Sequence, residues 1–384
     1  MKGQIRRRGE RSWELRFDLG ADPGTGRRRL RYASFKGSKR DAEIELARLI
    51  SENAAGAGVD PSKATISEFL DRWDRDWAAC NVQGKTLERY RDLIALYIKP
   101  HLGAVRIQKL RPVQLNELYS KLLRGGGKGG RPLSPSTVGY VHRVLHHALG
   151  HAATWGVVPQ NVASVVKPPK PTHVEIKILT EDQIRTLLDY LDGRTLRPII
   201  SFLLGTGCRR GETLALRWND IDWNASRVRI ERSVEQTNRS GIRFKSPKTK
   251  NSRRNIAMSP WLLADLRAHR LRQQERRLFL GLGKAPDDSL VFAKWDGTTR
   301  SPHWLTQKFR LTMEALKIDC TLHALRHTHA SQLIAAGMDI LTISRRLGHA
   351  SAAITLGIYG HLFANTDAKA AEIIEAAFAK VRTE

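Results

Sequence analysis

The chain has few cysteines. Its 384 residues include Cys80, Cys208 and Cys320 only, and these lie far apart. An odd and scattered set predicts no disulfide framework, and it lacks the paired spacing of a zinc site. We therefore expect a protein of a reducing compartment, the cytoplasm, without structural disulfides or a cysteine-bound metal.

Long apolar runs are also missing. No stretch of 18 apolar residues occurs, and no lipidation motif is present. The basic N-terminal segment MKGQIRRRGE leads to no apolar run, so we do not expect it to act as a signal peptide. The sequence thus predicts no membrane partner.

Acidic residues are scarce relative to basic ones. The chain has 38 Asp and Glu against 65 Lys and Arg, a formal net charge of +27 at pH 7. Such an excess favours a polyanionic partner over a merely solvated basic surface. With 384 residues, 41% of them hydrophobic, the chain is long enough for two or three domains, each with a core.

Two motifs that often carry a ligand are incomplete here. The glycine-rich run Gly125–Arg131 has no Ser or Thr after its Lys and no strand before it, so it predicts a loop and not a phosphate-binding loop. His142, His146, His147 and His151 have metal-ligand spacing, but no Asp, Glu or Cys joins them. We expect neither a cofactor nor a metal, and we interpret these histidines as part of a helix that faces DNA.

The first segment, 1–58, has the pattern of a small β+α module. Residues 12–19 alternate like a strand, and residues 27–35 follow as a second strand after a Gly/Pro turn. Ser38 is placed to cap a helix that begins at Lys39. Arginines at outward strand positions favour DNA binding by this module, and an oligomerisation or packing role is the alternative.

The middle segment, 64–168, is predicted to be entirely helical. Apolar residues recur at helical spacing in its first helix, at Ile66, Phe69, Leu70, Trp73 and Trp77. Three further helical segments follow before a basic, proline-rich linker.

The last segment, 175–384, has a mixed α+β pattern. Thr180 and Gln183 have the spacing of a capping box at the start of a helix. Short strands are predicted over 227–236, 241–249 and 253–258, and helices over most of the rest, ending with an amphipathic helix over 366–382. The chain as a whole is predicted to be multidomain and mainly α.

Polar residues between 322 and 362 suggest a reaction. His323 and Arg326 are three residues apart and share a helical face, His349 follows a glycine turn, and Tyr359 lies ten residues later. These residue types suit attack on a phosphodiester without a metal. The arginine would hold the phosphate, the histidines would move protons, and the tyrosine would be the nucleophile.

The same order of residues is the signature of the tyrosine recombinases, the phage-integrase family, and the chain resembles that family from end to end. The resemblance implies an arm-type DNA-binding module over 1–58, a helical SAM-like core-binding domain over 64–168 and a catalytic domain over 175–384. It also implies a tetramer on DNA in which the helix 366–382 packs on its own domain or on a neighbour.

The resemblance assigns phosphate binding to Arg209, which lies in the segment TGCRRGE. Glu212 would buttress that arginine, and Arg210 would not take part. Lys248, between two predicted strands, would protonate the leaving 5′ oxygen. Lys250 is the alternative for this role.

The remaining roles follow from the same resemblance. Arg326 would be the second phosphate clamp, His323 the proton acceptor or donor, and His349 a hydrogen-bond donor to a non-bridging oxygen. We expect the neighbouring His327 and His329 to be packing or surface residues.

Tyr359 would be the nucleophile. An ordinary tyrosine pKa near 10 leaves about one part in a thousand ionised at pH 7, about 4 kcal/mol from the phenolate. The two arginines and the histidines are therefore needed beside it to ease loss of the proton.

The implied reaction is site-specific strand exchange through a 3′-phosphotyrosyl bond, without ATP or metal. The implied partners are double-stranded DNA with core-type and arm-type sites, three further protomers, a DNA-bending host factor and an excision factor, all at the nucleoid. The alternatives are a chromosome-dimer-resolving recombinase, a type IB topoisomerase and a non-catalytic DNA-binding protein.

Overall fold

The computed structural model describes residues 3–21, 28–54, 62–171, 177–245, 253–362, 371–372 and 374–378. The chain divides into two compact units, Met1–His173 and Val174–Glu384. The finer division into 1–58, 64–168 and 175–384 stays a prediction.

The N-terminal module is a three-stranded antiparallel sheet with one helix on it. The strands β1 (Gly3–Gly9), β2 (Ser12–Ala21) and β3 (Arg28–Lys36) are neighbours in that order, and α1 spans Lys39–Ala54. Alternate side chains of β2 face α1, and the core consists of Leu15, Phe17, Ala42 and Leu46. The predicted cap is confirmed, because the Ser38 hydroxyl accepts a hydrogen bond from the Asp41 backbone N–H at 3.2 Å.

Residues 62–171 are helical, as predicted. Their helices are α2 (Ile66–Trp73), α3 (Ala79–Asn81), α4 (Gly84–Leu93), α5 (Lys99–Leu102), α6 (Pro112–Gly125) and α7 (Pro135–Thr154). Two π-helical turns, Asp74–Ala78 and Ile94–Ile98, join α2 to α3 and α4 to α5. Trp73 is fully buried at the centre of this core, and Trp77 stacks on it at 5.6 Å between ring centroids.

Most of the histidines of α7 face the helical core, and their aromatic partners could not be predicted from the sequence. Nδ1 of His142 lies 2.8 Å from the Tyr119 hydroxyl, and the indole N–H of Trp73 donates to Nδ1 of His151 at 2.8 Å. Aromatic partners satisfy these rings, so their i,i+4 spacing reflects packing. Among the described residues, no group of three or more His, Cys, Asp or Glu is arranged to hold a metal ion.

The second unit is mixed α+β. Its helices are α8 (Glu181–Tyr190), α9 (Arg197–Thr206), α10 (Arg210–Leu214), α11 (Pro260–Phe279), α12 (Pro302–Ala315), α13 (Ala324–Ala335), α14 (Ile340–Leu347) and α15 (Ala352–Tyr359). Its strands are β4 (Ile221–Asp222), β5 (Arg227–Ile230), β6 (Ser233–Thr237), β7 (Gly241–Lys245) and β8 (Arg254–Ala257). The predicted helix 366–382 is described only at 371–372 and 374–378, which are helical.

The described strands of this unit form two antiparallel sheets. One has the order β4-β5-β8, and the other pairs β6 with β7. The single strand predicted over 227–236 is therefore two strands, which separate at Glu231 and Arg232. At this break the Arg232 side chain donates to the buried carboxylate of Asp220 at 3.0 Å.

Helix α9 lies at the centre of the larger core and packs against α11 and α13. The capping box predicted before α8 is confirmed: the Thr180 hydroxyl accepts from the Gln183 N–H, and the Gln183 side chain accepts from the Thr180 N–H. A smaller core under α13, α14 and α15 contains Tyr359 together with Ala330, Ile334, Ile343 and Leu347.

Candidate active site

The turn between α9 and α10 positions Arg209. Gly207 ends α9 in the left-handed conformation, with φ of +65°, and a Cβ there would lie 2.6 Å from the His329 ring. Arg209 is then the N-cap residue of α10. Its backbone N–H and its Nη1 each donate to the Glu212 carboxylate at 2.9 Å. Glu212 thus orients both the backbone and the side chain of Arg209.

Glu212 also holds Arg254, which the sequence analysis did not single out. Nη2 of Arg254 donates to Oε2 of Glu212 at 2.9 Å, and Nε donates to the Arg346 carbonyl at 2.7 Å. Burial by itself would raise the pKa of Glu212, but the charges and hydrogen bonds of Arg254 and Arg209 outweigh it and lower that pKa. Glu212 is therefore an ionised, buried anchor for two arginines.

Both predicted phosphate clamps bind the same short turn. Nη2 of Arg326 donates to the Leu347 carbonyl at 2.8 Å, and Nη2 of Arg209 donates to the Gly348 carbonyl at 3.0 Å. Nη1 of Arg326 donates to the Gly207 carbonyl at 2.8 Å. Burial, followed by the charge of Arg209, lowers the pKa of Arg326 to about 10, which leaves it protonated at neutral pH.

His349 follows this turn directly. Gly348 adopts φ of +68°, and a Cβ there would lie 2.8 Å from Nη1 of Arg254, so the turn requires glycine. Nδ1 of His349 lies 2.7 Å from the Thr355 hydroxyl. Burial, then the charges of Arg326 and Arg209, lower the pKa of His349 to about 4, so the ring is neutral at pH 7.

His323 lies at the N-terminus of α13. Burial, then the charges of Arg326 and Arg209, lower its pKa. Its ring is nearly perpendicular to that of His327, at 4.8 Å between centroids. His323 is therefore also held beside the two arginines in a largely neutral form.

Tyr359 is the last residue of α15 and only 1% exposed. Its hydroxyl lies 2.7 Å from Nδ1 of His327. Burial raises the pKa of Tyr359 to about 12, although the charge of Arg326 opposes the shift.

The structure thus brings together five of the residues predicted from sequence: Arg209, His323, Arg326, His349 and Tyr359. Lys248 and its alternative Lys250 lie outside the described residues. The expectation that His329 is a packing residue is confirmed, because it is buried and its ring contacts the Leu204 carbonyl at 2.7 Å.

His327 is half-buried, and its ring contacts the Tyr359 hydroxyl, so whether it only packs stays a prediction. A signal for this was present in the sequence. His327 is four residues after His323 and therefore shares its helical face.

The arrangement suits an anion. Two guanidinium groups and a neutral imidazole converge near a phenol, and the Arg209 side chain is 40% exposed and so accessible to a ligand. Paired arginines bind the oxygens of a phosphate and stabilise charge that develops on it.

Comparison with known families identifies the chain. The model of the phage integrase family matches residues 177–366, and the model of the phage integrase N-terminal SAM-like domain matches residues 65–123. The chain belongs to the phage integrase family. It is a tyrosine recombinase, a site-specific enzyme that cleaves and rejoins DNA, and the family predicted from sequence is confirmed.

Curated relatives align over almost the whole chain. A XerC-like tyrosine recombinase of Caldanaerobacter subterraneus is 26% identical over 359 residues, 89% of this chain and 90% of that one. The ICEBs1 integrase of Bacillus subtilis is 26% identical over 371 residues, 94% of this chain and 96% of that one. An integrase of Streptomyces ambofaciens is 27% identical over 368 residues, 90% of this chain and 88% of that one.

Solved structures share the fold. The Tn1549 transposon integrase in complex with transposon right end DNA has a TM-score of 0.67 at 21% identity, covering 82% of this chain and 99% of that one. A lambda integrase tetramer bound to a Holliday junction has a TM-score of 0.55 at 18% identity, covering 90% of this chain and 95% of that one. The predicted fold class, mainly helical with small antiparallel sheets, is confirmed.

Across the part of the chain that the structure describes, no helix is long and apolar enough to cross a bilayer.

Proposed function

We propose that this recombinase is the integrase of a mobile element and that it cuts DNA through Tyr359. The observation that carries the proposal is the convergence of Arg209, Arg326 and His349 on one turn, beside the α15 tyrosine. The phenol oxygen attacks the scissile phosphorus, and the bond to the 5′ oxygen breaks. A 5′ hydroxyl from the partner duplex then attacks the 3′-phosphotyrosine and releases Tyr359.

Each side chain has a proposed part in that reaction. Arg209 and Arg326 bind the non-bridging oxygens and offset the charge that grows on phosphorus. His349 donates a hydrogen bond to one of these oxygens, and His323 exchanges a proton near the arginines. Lys248, outside the described residues, protonates the leaving 5′ oxygen.

The buried phenol explains why the site has so much positive charge. With a pKa of about 12, Tyr359 is about 7 kcal/mol from its phenolate at pH 7. A free phenolate is therefore a negligible species in the protein without DNA. Proton loss accordingly accompanies formation of the oxygen–phosphorus bond, at a site where two guanidinium groups are already in place.

The N-terminal module is proposed to bind arm-type DNA with the face of its sheet that points away from α1. That face carries Arg6, Arg16 and Tyr32 in neighbouring strands, and Arg16 lies 5.8 Å from the Tyr32 ring centroid. Tyr32 is 57% exposed, so the aromatic and basic groups are both available to a ligand. Cations and exposed aromatics together are typical of nucleic-acid surfaces.

Aligned length favours an integrase over the XerD recombinases, and a XerC-like tyrosine recombinase also aligns with 89% of this chain. The ICEBs1 integrase aligns with 94% of this chain, whereas XerD recombinases of Corynebacterium glutamicum and Mycobacterium tuberculosis align with 74% and 71%. The ICEBs1 integrase thus aligns with a larger part of this chain than the XerD recombinases do.

The core-binding domain is proposed to contact duplex DNA through α4 and α7. Tyr140 is exposed on α7 and lies between two guanidinium groups, at 4.3 Å from Arg143 and 5.7 Å from Arg89 of α4. This patch combines charge for phosphates with a flat ring for a base or sugar. A tetramer on two duplexes, a DNA-bending host factor and an excision factor complete the proposed assembly.

The proposal is tested by recombination between two plasmids that carry the attachment sites of the encoding element, in EDTA and without ATP. We expect recombinant molecules that carry both joined junctions. Specific binding without a covalent intermediate would instead indicate a non-catalytic DNA-binding protein. Relaxation of supercoils without joining would indicate a topoisomerase.

A further inference from the structure

His327 contacts the reacting atom of the proposed nucleophile. It lies on α13, one helical turn after His323, and its Nδ1 is 2.7 Å from the Tyr359 oxygen. Among the described residues, His327 is the one hydrogen-bond partner of the Tyr359 hydroxyl. A buried hydroxyl without a partner would cost about 1–3 kcal/mol, so the contact stabilises this position of the phenol.

The environment fixes which atom carries the proton. Burial, then the charges of His323 and Arg326, lower the pKa of His327 to about 4, and burial raises the pKa of Tyr359 to about 12. At neutral pH both groups are therefore uncharged. The phenol donates its O–H, Nδ1 of His327 accepts it, and the ring proton of His327 resides on Nε2.

The ring of His327 also separates the phenol from the other predicted proton carrier. Its centroid is 4.8 Å from that of His323 and 5.5 Å from that of Tyr359, and both ring pairs meet edge to face. His327, and not His323, is therefore the histidine placed to control the direction of the Tyr359 O–H.

We propose that His327 is the positioning residue of the nucleophile, whose Nδ1 accepts the Tyr359 hydrogen bond and so aims a lone pair of the phenol oxygen at phosphorus. This inference rests on the proposed role of Tyr359. Near-attack geometry brings reacting atoms to about 3–3.5 Å, and a misplacement of about 1 Å can cost about 100-fold in rate.

Substitution of His327 can change the position of the atom that accepts the Tyr359 hydrogen bond. In His327→Asn the amide oxygen occupies the place of Nδ1, whereas in His327→Gln the amide reaches the place of Nε2. Exposed His303 on α12 offers a matched control, His303→Gln. Single-turnover cleavage of a nicked duplex is measured in EDTA at saturating protein, with DNA binding and thermal unfolding recorded for each variant.

We expect His327→Asn to cleave within about 10-fold of the wild-type rate and His327→Gln to be about 100-fold slower, with DNA binding unchanged. Should His327→Gln fail to fold, His327→Phe takes its place as the variant without an acceptor. Because His327 acts as a neutral ring, wild type and His327→Asn should share one pH dependence between pH 6 and 9.

Three results would overturn the inference: equal slowing by Asn and Gln, wild-type cleavage by His327→Gln, or a pH profile that changes shape in His327→Asn. The parent proposal fails in a different way. If Tyr359→Phe still forms the covalent complex, Tyr359 is not the nucleophile. If wild type forms it through Tyr359 while every His327 variant cleaves normally, only the inference about His327 is wrong.

Discussion

The Thr355 hydroxyl lies 2.7 Å from Nδ1 of His349, and both side chains are buried. Thr355 is on α15, one turn before Tyr359, so the helix that carries the proposed nucleophile also holds a proposed phosphate ligand. If the hydroxyl donates to Nδ1, then Nε2 of His349 carries the ring proton and can donate to a phosphate oxygen.

We predict that Thr355→Val slows cleavage about 3–10-fold, because it removes one hydrogen bond worth about 0.5–1.5 kcal/mol. The β-branched shape is retained, but the tautomer of His349 is no longer fixed. Thr355→Ser restores the hydroxyl and should restore the rate. The measurement is single-turnover cleavage of a nicked duplex, and equal rates for Val and wild type would contradict the assignment.

Glu212 should be a large contributor to stability. It is 5% exposed and pairs with Arg209 and with buried Arg254. We predict that Glu212→Ala lowers the free energy of unfolding by about 3–5 kcal/mol, because a buried guanidinium loses its counter-charge. Urea unfolding measures the change, and Glu212→Gln is the matched variant that keeps the shape.

The same pair predicts a pH dependence of stability. The folded-state pKa of Glu212 lies below the ordinary glutamate value of 4.5, so its contribution is complete above about that pH and is lost as pH falls through the folded pKa. The stability difference between wild type and Glu212→Gln should accordingly shrink when unfolding is repeated below pH 4. A difference that is constant with pH would show that Glu212 is not ionised in the fold.

The fold class and most residues of the candidate site can be predicted from sequence, because both depend on local patterns. Arg209, His323, Arg326, His349 and Tyr359 each lie in a short motif, and capping at Ser38 and Thr180 depends on residues three apart. Periodicity also identified the helices of residues 62–171.

The contacts that could not be predicted from sequence join residues that lie far apart along the chain. Arg254 reaches Glu212 across 42 residues, and His327 reaches Tyr359 across 32. Arg232 likewise contacts Asp220 where β5 and β6 separate, and alternation of residues does not reveal that polar contact. The same limit applies to the histidines of α7, whose aromatic partners Tyr119 and Trp73 lie on other helices.

The outer face of the N-terminal sheet should determine arm-type binding. We predict that Arg16→Ala and Tyr32→Ala each weaken binding to arm-type DNA by about 10-fold, since an aromatic stack is worth about 1–3 kcal/mol. Binding to core-type DNA should not change. Gel-shift titrations measure both affinities. Arg40→Ala, at an exposed position of α1, is the matched control. Equal weakening at both kinds of site would contradict a separate arm-binding role.

Binding should also depend steeply on salt. With a net charge of +27 and contacts to about 6–10 phosphates, affinity should fall by about 10³–10⁵ between 50 and 200 mM salt. Fluorescence anisotropy with a labelled duplex gives the slope. A flat response would count against phosphate contacts as the main source of affinity.

The most direct test of the account is covalent capture of DNA by Tyr359. Wild type and Tyr359→Phe are mixed in EDTA with a nicked duplex that carries the junction of the encoding element, and the products are separated on a denaturing gel. We predict a protein–DNA band with wild type only, linked to the 3′ phosphate, while both proteins bind the duplex equally. A covalent band with Tyr359→Phe, or none with wild type across the element's junctions despite specific binding, would contradict the tyrosine mechanism.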